Sequence, residues 1–220
     1  MVEVSLQMAN TTSDQPKRGQ FFLFGPEMGS GARFRGVILE NIQHLLSPPR
    51  RILRPESGGF PRILETPRLR FDESKGPPPR DLEGGFSGYW LVSDRLRQVM
   101  LAVDRDAFEF VECETNFVDG SKGPTHFLCD VVRELDALDE DASQLEINVS
   151  EDYVCGKFYF LGGGARLAFK RDVICGAHVF LTPFNPSAFC DRSFRDAVRE
   201  AGVPIDPGKS GMSFVDVANI

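Results

Sequence analysis

Residues 178–203 have the sequence HVFLTPFNPSAFCDRSFRDAVREAGV, in which a strand pattern is followed by a helix pattern. The largely apolar run at 178–182 predicts a strand. The residues from Asp191 to Ala201 predict a helix with one inward-facing apolar side, formed by Phe194, Ala197 and Val198. A strand and an amphipathic helix this close together are typical of an α+β domain.

The segments before and after this stretch add further strands and one more helix. Strands are predicted at Tyr89–Val92, Phe108–Cys113, Thr125–Val132 and Ser213–Val217. Ser93 is expected to cap a helix that ends near Asp104. A hairpin is predicted in which Lys157–Leu161 and Ala165–Lys170 flank Gly162–Gly164. The predicted class is α+β, a mainly antiparallel sheet with a few packed helices, whose core is rich in the chain's 19 phenylalanines.

The N-terminal third is less regular. Its QFFLF run at 20–24 predicts a strand and its 35–46 segment a short helix. Residues 47–88 hold eight of the 15 prolines, so we expect an irregular, arginine-rich excursion with one strand at Arg68–Phe71. We predict a disordered tail at 1–19 and one domain at 20–220, comprising a loop-rich part (20–88) and a better-patterned core (89–220).

The charges are unevenly distributed along the chain, whose net charge is −7. Residues 17–80 carry 12 Lys/Arg against 6 Asp/Glu, and residues 81–220 carry 13 against 24. The net charge of −7 disfavours nonspecific binding to nucleic acid. With no signal peptide, no long apolar run and no CxxC pair among five cysteines, we expect a cytoplasmic protein with reduced thiols and no membrane contact.

The acidic residues are densest at 130–152, where Arg133 is the single basic residue. A dense acidic stretch can be a solvated face, a metal loop or a surface that attracts a basic partner. The ELDALDED run at 134–141 lacks the spacing and the glycine of a calcium loop, so no metal is predicted. The candidates for partner contact are Asp136, Asp139, Glu140 and Asp141.

Other motifs with known chemistry do not fit. The glycine clusters at 25–31, 162–164 and 208–210 each lack part of a phosphate loop. The pairs His126/Cys129 and Cys175/His178 are three residues apart, which on a strand sends the two side chains to opposite faces. No catalytic residue, metal or cofactor is therefore predicted, although two facing carboxylates would leave no signature in the sequence.

Three segments resemble a known family in order and spacing: GYWLVSDRLRQVM (88–100), THFLCDVVRELDALDEDAS (125–143) and residues 178–203. They are similar to immunity-protein family 11 of bacterial polymorphic toxin systems over about 85–217, and more loosely over 20–80. The resemblance implies an α+β protein that protects the producing cell by binding a toxin, delivered by type VI secretion or another contact-dependent route. It carries over no catalytic residue.

The leading hypothesis is therefore an immunity protein that forms a stoichiometric complex with its toxin. A hydrolase with a carboxylate site and a secretion-system adaptor are the alternatives. Tight binding also requires apolar anchors, for which exposed Trp90 or Phe184 are candidates, although Trp90 beside a helix start is more typical of a core position. The sequence leaves open the activity of the toxin, the interface and the oligomeric state.

Overall fold

The computed structural model describes residues 15–27, 35–45, 54–55, 58–86 and 88–220. Within these ranges the chain has the predicted α+β class, with 12 strands and 5 helices. The strands are β1 (Phe21–Pro26), β2 (Val37–Leu39), β3 (Arg68–Phe71), β4 (Leu82–Phe86), β5 (Tyr89–Ser93), β6 (Phe108–Phe117), β7 (His126–Val131), β8 (Glu146–Val149), β9 (Lys157–Phe160), β10 (Val179–Thr182), β11 (Asn185–Asp191) and β12 (Met212–Asp216). The helices are α1 (Ile42–Leu45), α2 (Asp94–Asp104), α3 (Arg171–Ile174), α4 (Arg192–Glu200) and α5 (Pro207–Ser210).

The strands form two large sheets and one small one. A four-stranded sheet has the order β10-β11-β1-β12, a six-stranded sheet has the order β2-β3-β6-β7-β5-β4, and β8 pairs with β9. Strand pairing is antiparallel except between β3 and β6. The mainly antiparallel sheet expected from the sequence is thus confirmed.

The central core lies where the two large sheets meet helices α2 and α4. Phe24 and Cys190 from the four-stranded sheet, Cys129 from the six-stranded sheet, and Leu96 and Phe194 from the helices belong to one buried cluster. Burial of each Leu or Phe side chain in this cluster contributes about 1.5–3 kcal/mol. This apolar packing fixes how the helices lie on the sheets.

A second core covers the opposite face of the four-stranded sheet. Because side chains alternate along a strand, Phe180 and Phe189 point away from the central core. Their rings lie 5.4 and 5.2 Å from that of Phe169, measured between centroids. Leu138 and Tyr159 are buried in the same cluster. The second core is what carries the acidic segment after β7.

A third, smaller core covers the outer face of the six-stranded sheet. Leu128 of β7 packs there with Leu69, Phe71, Leu91 and Cys113, whereas its neighbour Cys129 faces the central core. Phe60, which lies outside the strands, also packs against this cluster. The six-stranded sheet is therefore buried on both faces at its centre.

Both longer helices begin where the sequence predicted. The Ser93 hydroxyl accepts a hydrogen bond from Leu96 N at 3.3 Å, and the Asp191 carboxylate accepts one from Phe194 N at 2.9 Å. Such side-chain caps satisfy backbone N–H groups that have no partner in the first helical turn. The predicted strands Arg68–Phe71, Tyr89–Val92 and Thr125–Val132 are also confirmed, within one residue at each end.

Two sequence expectations are wrong. Lys157–Leu161 and Ala165–Lys170 do not form a hairpin, because β9 pairs with β8 instead. The residues around Ala165–Lys170 make isolated bridges to the acidic segment, from Phe169 to Leu138 and from Arg166 to Gln144. The predicted helix at 35–46 is helical only at Ile42–Leu45, since Val37–Leu39 pairs with β3. Residue 46 of that prediction lies outside the described residues.

Strand β11 was missed because Pro183 and Pro186 break its pattern. Pro186 precedes the part of β11 that pairs with β1, which begins at Ala188 opposite Phe24, so its missing N–H leaves that ladder intact. The predicted tail lies mostly outside the described residues, and Gly19 N donates a hydrogen bond to Asp216 at 2.7 Å. All five cysteines are free, and Cys155 and Cys175 are exposed.

Candidate partner-binding surface

The acidic segment 134–141 lies as an extended strip on the second core. Its backbone bonds to β10 through Leu135 N and Leu181 O at 2.9 Å, and Asp139 N donates to Ala168 O at 2.9 Å. Ala137 and Leu138 are fully buried beneath it. The strip is thus fixed on both sides, which holds its outward side chains in defined positions.

The four candidate residues fall into different environments. Asp136 and Asp141 are exposed. Asp139 is only 9% exposed, and its carboxylate accepts hydrogen bonds from Asp141 N and Ala142 N, both at 3.1 Å. It therefore closes the turn that presents Asp141, since aspartate side chains commonly bond the backbone two and three residues ahead.

Glu140 connects the strip to the small β8–β9 sheet. Its carboxylate forms an ion pair with Lys157 and accepts a hydrogen bond from the Tyr159 hydroxyl at 2.6 Å. Hydrogen bonds from Lys157 and Tyr159 lower the pKa of Glu140, and burial together with the Glu140 bond raises that of Tyr159. Because the Lys157 ammonium already pairs with its carboxylate, Glu140 offers the surface less free charge than Asp136 or Asp141.

The two aromatic candidates for anchors are both half-buried. The Trp90 ring meets Phe24 edge-on, with centroids 5.3 Å apart, and packs against the central core. The Phe184 ring lies under the Lys157 ammonium, with Nζ 3.9 Å from its centroid. Phe184 also lines a groove of about 270 Å³ together with Glu134 and Val154.

The sequence analysis did not predict the hairpin formed by β8 and β9. The alternation of side chains around Ile147 does not by itself reveal which strand pairs with it. Its turn carries Tyr153 and Val154 on the rim of that groove. Val154 is 97% exposed. The missed signal was an apolar pair directly preceded by two acidic residues, in the segment SEDYVCG at 150–156.

Carboxylates in the interior are paired with arginines. Asp81 accepts hydrogen bonds from Arg95 at 2.5 and 2.6 Å, and the buried Asp104 accepts one from Arg133 at 2.5 Å. Glu83 is held by Arg80 at 2.9 and 3.0 Å. These acids balance charges inside the protein, in contrast to the converging pair that the hydrolase alternative requires.

The pKa values of the buried acids Asp130 and Asp104 are shifted in opposite directions. Burial raises its pKa, although it accepts hydrogen bonds from Arg54 at 2.8 and 2.9 Å and from Gly59 N at 2.6 Å. For Asp104, burial also acts upward, but the bonds from Arg133 and from two backbone N–H groups outweigh it and lower the pKa. A tight shell of donors surrounds both carboxylates.

The His126/Cys129 pair does not assemble a nucleophilic site, and Cys175 lies at the end of α3 instead of on a strand with His178. His126 faces Phe71 on the outer side of the sheet and Cys129 lies in the central core, as their spacing predicted. Cys113, directly opposite His126 on β6, has its pKa raised by burial to about 12, while burial lowers the pKa of His126. Both groups are therefore neutral at pH 7, unlike an activated thiolate–imidazolium pair.

The described glycines of the three clusters lie in a short helix, a loop and the end of β1. Gly208, Lys209 and Ser210 lie in the four-residue helix α5, capped by Asp206. The 162–164 cluster follows β9 as a loop, and the 25–31 cluster lies partly outside the described residues. Across the residues described, no group of three His, Cys, Asp or Glu side chains could hold a metal ion. None of the helices in those ranges is long and apolar enough to cross a membrane.

Fold and surface together define an α+β protein that holds an exposed acidic strip, residues 134–141, on its second core. A model of the immunity protein family (Imm11) matches residues 20–219, and the chain therefore belongs to that family. The match includes the N-terminal part that the sequence motifs resembled only loosely. No curated protein matches the chain. Family membership suggests an immunity function with a toxin as partner in general, and such proteins are typically non-enzymatic.

Proposed function

We propose that this protein is a cytoplasmic immunity protein that neutralises one cognate bacterial toxin by forming a stoichiometric complex with it. The toxin reaches the cell by type VI secretion or another contact-dependent route. Family membership over residues 20–219 carries the proposal. The net charge of −7 adds support, because a strongly one-signed surface speeds association with a basic enzyme and repels nucleic acid.

The acidic strip is the proposed first contact. Asp136 and Asp141 attract the partner directly, and Glu140 contributes through its pair with Lys157. Asp139 acts indirectly, by holding the turn that carries Asp141. A fixed array of charges favours fast, oriented encounter, because less side-chain and backbone freedom is lost on binding.

Co-expression tests the proposal. The gene beside this one is expected to encode a delivery domain followed by a toxin domain, and the protein should rescue cells that produce that toxin domain. When this protein is titrated into the purified toxin, toxin activity should be completely inhibited at a fixed molar ratio. This protein should not act catalytically on the toxin. Catalytic inactivation of the toxin at substoichiometric amounts would favour the hydrolase alternative. Binding to secretion components in the absence of toxin would favour the adaptor.

A further inference from the structure

We infer that the tip of the β8–β9 hairpin, with Tyr153 and Val154, is the apolar anchor that enters a basic cleft of the toxin. The inference rests on the proposed function and names the element that makes the contact. The hairpin tip (residues 149–156) lies beside the acidic strip, because Glu140 bonds to both Lys157 and Tyr159 of β9.

Exposed apolar surface is concentrated on this hairpin. Among the described residues, eight large apolar side chains are exposed, and four of them lie between 149 and 160: Val149, Tyr153, Val154 and Phe160. Val154 is 97% and Val149 80% exposed. A local group of exposed apolar side chains with a polar rim is typical of a protein interaction site. Single exposed residues elsewhere, such as Leu64, need no such explanation.

The tip has a defined conformation. Ser150 N donates to Gly156 O at 3.1 Å, and Gly156 N donates to Tyr153 O at 2.9 Å. Gly156 closes the turn at φ +74°, a left-handed conformation that favours glycine. The Tyr153 ring stacks on Phe158 with centroids 5.7 Å apart. A tip already folded in this way loses little conformational entropy on binding.

The base of the hairpin is anchored in the second core. Tyr159 is fully buried, its N–H donates to Phe184 O at 3.0 Å, and its carbonyl accepts from Asn185 Nδ2 at 2.9 Å. The exposed tip is therefore an extension of a packed structure.

The charges around the tip select a basic partner. Glu151 and Asp152 precede Tyr153 and are exposed, and Glu134 lines the same groove. The two basic residues of the groove are already engaged, Lys157 with Glu140 and Arg54 with Asp130. The fitting occupant is a protein surface with an apolar socket surrounded by lysine or arginine, since complementary charges steer and orient encounter.

The test uses the toxin domain encoded beside this gene, in a catalytically inactivated form, and the full chain. Val154→Lys is compared with Val118→Lys, which makes the same charge change. Val118 is 57% exposed and follows β6, at the end of the β6–β7 pair away from the acidic strip. We expect Val154→Lys to weaken binding by about thirtyfold or more and Val118→Lys to change it less than about twofold. Val154→Ser, which adds no charge, should weaken it by about five- to tenfold. Surface plasmon resonance measures all four proteins.

The possible outcomes separate the inference from the proposed function. A wild-type chain that neither binds nor protects against the toxin overturns the proposed function and the inference with it. If the wild type binds and Val154→Lys binds equally well, the anchor is wrong and the proposed function stands. A loss caused by Val118→Lys alone places the interface at the other end of the sheet and overturns the anchor. Unchanged thermal unfolding of each variant shows that the fold is intact.

Discussion

Three buried acids at the six-stranded sheet and the exposed acids of the strip after it differ in their partners. Asp81, Glu83 and Asp130 are buried, and each is bound by an arginine. Asp136 and Asp141, a few residues further along, are exposed. One residue type thus serves two purposes, and its position relative to the sheet decides which. Burial demands a partner for a carboxylate, whereas exposure leaves its charge available to other molecules.

The arginines that satisfy the buried acids come largely from the basic N-terminal part. Arg54 bonds to Asp130, 76 residues away, and Arg80 and Arg35 both pair with Glu83. The charge asymmetry along the sequence is therefore partly an internal match between the arginine-rich segment and the sheet it covers. In the acidic strip, Glu140 pairs with Lys157, and Asp136 and Asp141 are exposed.

The largest expected effect is on a buried acid. Asp104→Ala should reduce the free energy of unfolding by about 3–5 kcal/mol, because it leaves Arg133 and the N–H groups of His178 and Val179 without their acceptor. Asp141→Ala, at an exposed acid, should change it by about 0.5 kcal/mol or less. Urea unfolding measures both. Equal losses would show that the two classes of acid do not differ in their contribution to stability.

A smaller effect, on the rate of association with the toxin, is expected from reversing the charge of the exposed acids. Asp136→Lys/Asp141→Lys should slow association with the toxin by about tenfold at low salt and flatten the salt dependence of the rate, with stability unchanged. Glu73→Lys/Glu114→Lys makes the same net change at exposed acids near the opposite end of β6. Stopped-flow mixing at several ionic strengths compares the pairs. Equal rates in the two variants would remove steering by the strip.

Buried groups should also set part of the pH dependence of stability. Burial lowers the pKa of His126 from 6.5, so below pH 6.5 the unfolded chain binds a proton that the folded chain does not. Stability contributed by neutral His126 is complete above pH 6.5 and is lost as the pH falls through the folded-state pKa, by at most about 1.4 kcal/mol per pH unit.

His126→Phe should therefore lose less stability than the wild type between pH 7.5 and 5. Each protein is referred to its own free energy of unfolding at pH 7.5, where His126 is neutral in both states, so that a packing change cancels. Urea unfolding at each pH provides the measurement. A slope unchanged by the substitution would mean that His126 does not contribute.

The smallest expected effect concerns a buried acid with more than one donor. Ser93→Ala removes the cap of α2 and one hydrogen bond to Asp81, but Arg95 still holds that carboxylate. We expect a loss of about 1 kcal/mol in the free energy of unfolding. Ser193→Ala, at an exposed position in α4, serves as the control. A loss as large as that of Asp104→Ala would show that Arg95 by itself is not enough to hold the Asp81 carboxylate.

Local patterns were enough to predict most of the C-terminal part. Ser93 and Asp191 cap helices because each precedes an apolar face at helical spacing, and these signals lie within one turn. The position of the acidic strip was also evident from composition. By contrast, β9 pairs with β8 although the glycines at 162–164 favour a hairpin with the following segment. Pairing was decided by Tyr159 and Ile147, which both pack on the second core.

The burial of individual acids could not be predicted, because their partners are distant in sequence. Nothing near Asp130 indicates Arg54, and nothing near Glu83 indicates Arg35. Asp139 and Asp141 look equivalent in the sequence, yet one closes a turn and the other faces solvent. The hairpin tip was missed for a related reason, since whether a valine is exposed depends on which segment covers it.

The central place of β1 in its sheet has a consequence for biosynthesis. Phe22 pairs with Cys190 on one side and with Asp216 on the other, so both neighbours of this early strand are translated near the end of the chain. The nascent polypeptide must keep an uncovered FFLF segment through most of translation, in a state that chaperones commonly bind. A truncated product that stops before β11 lacks both neighbours of β1 and leaves that strand unpaired.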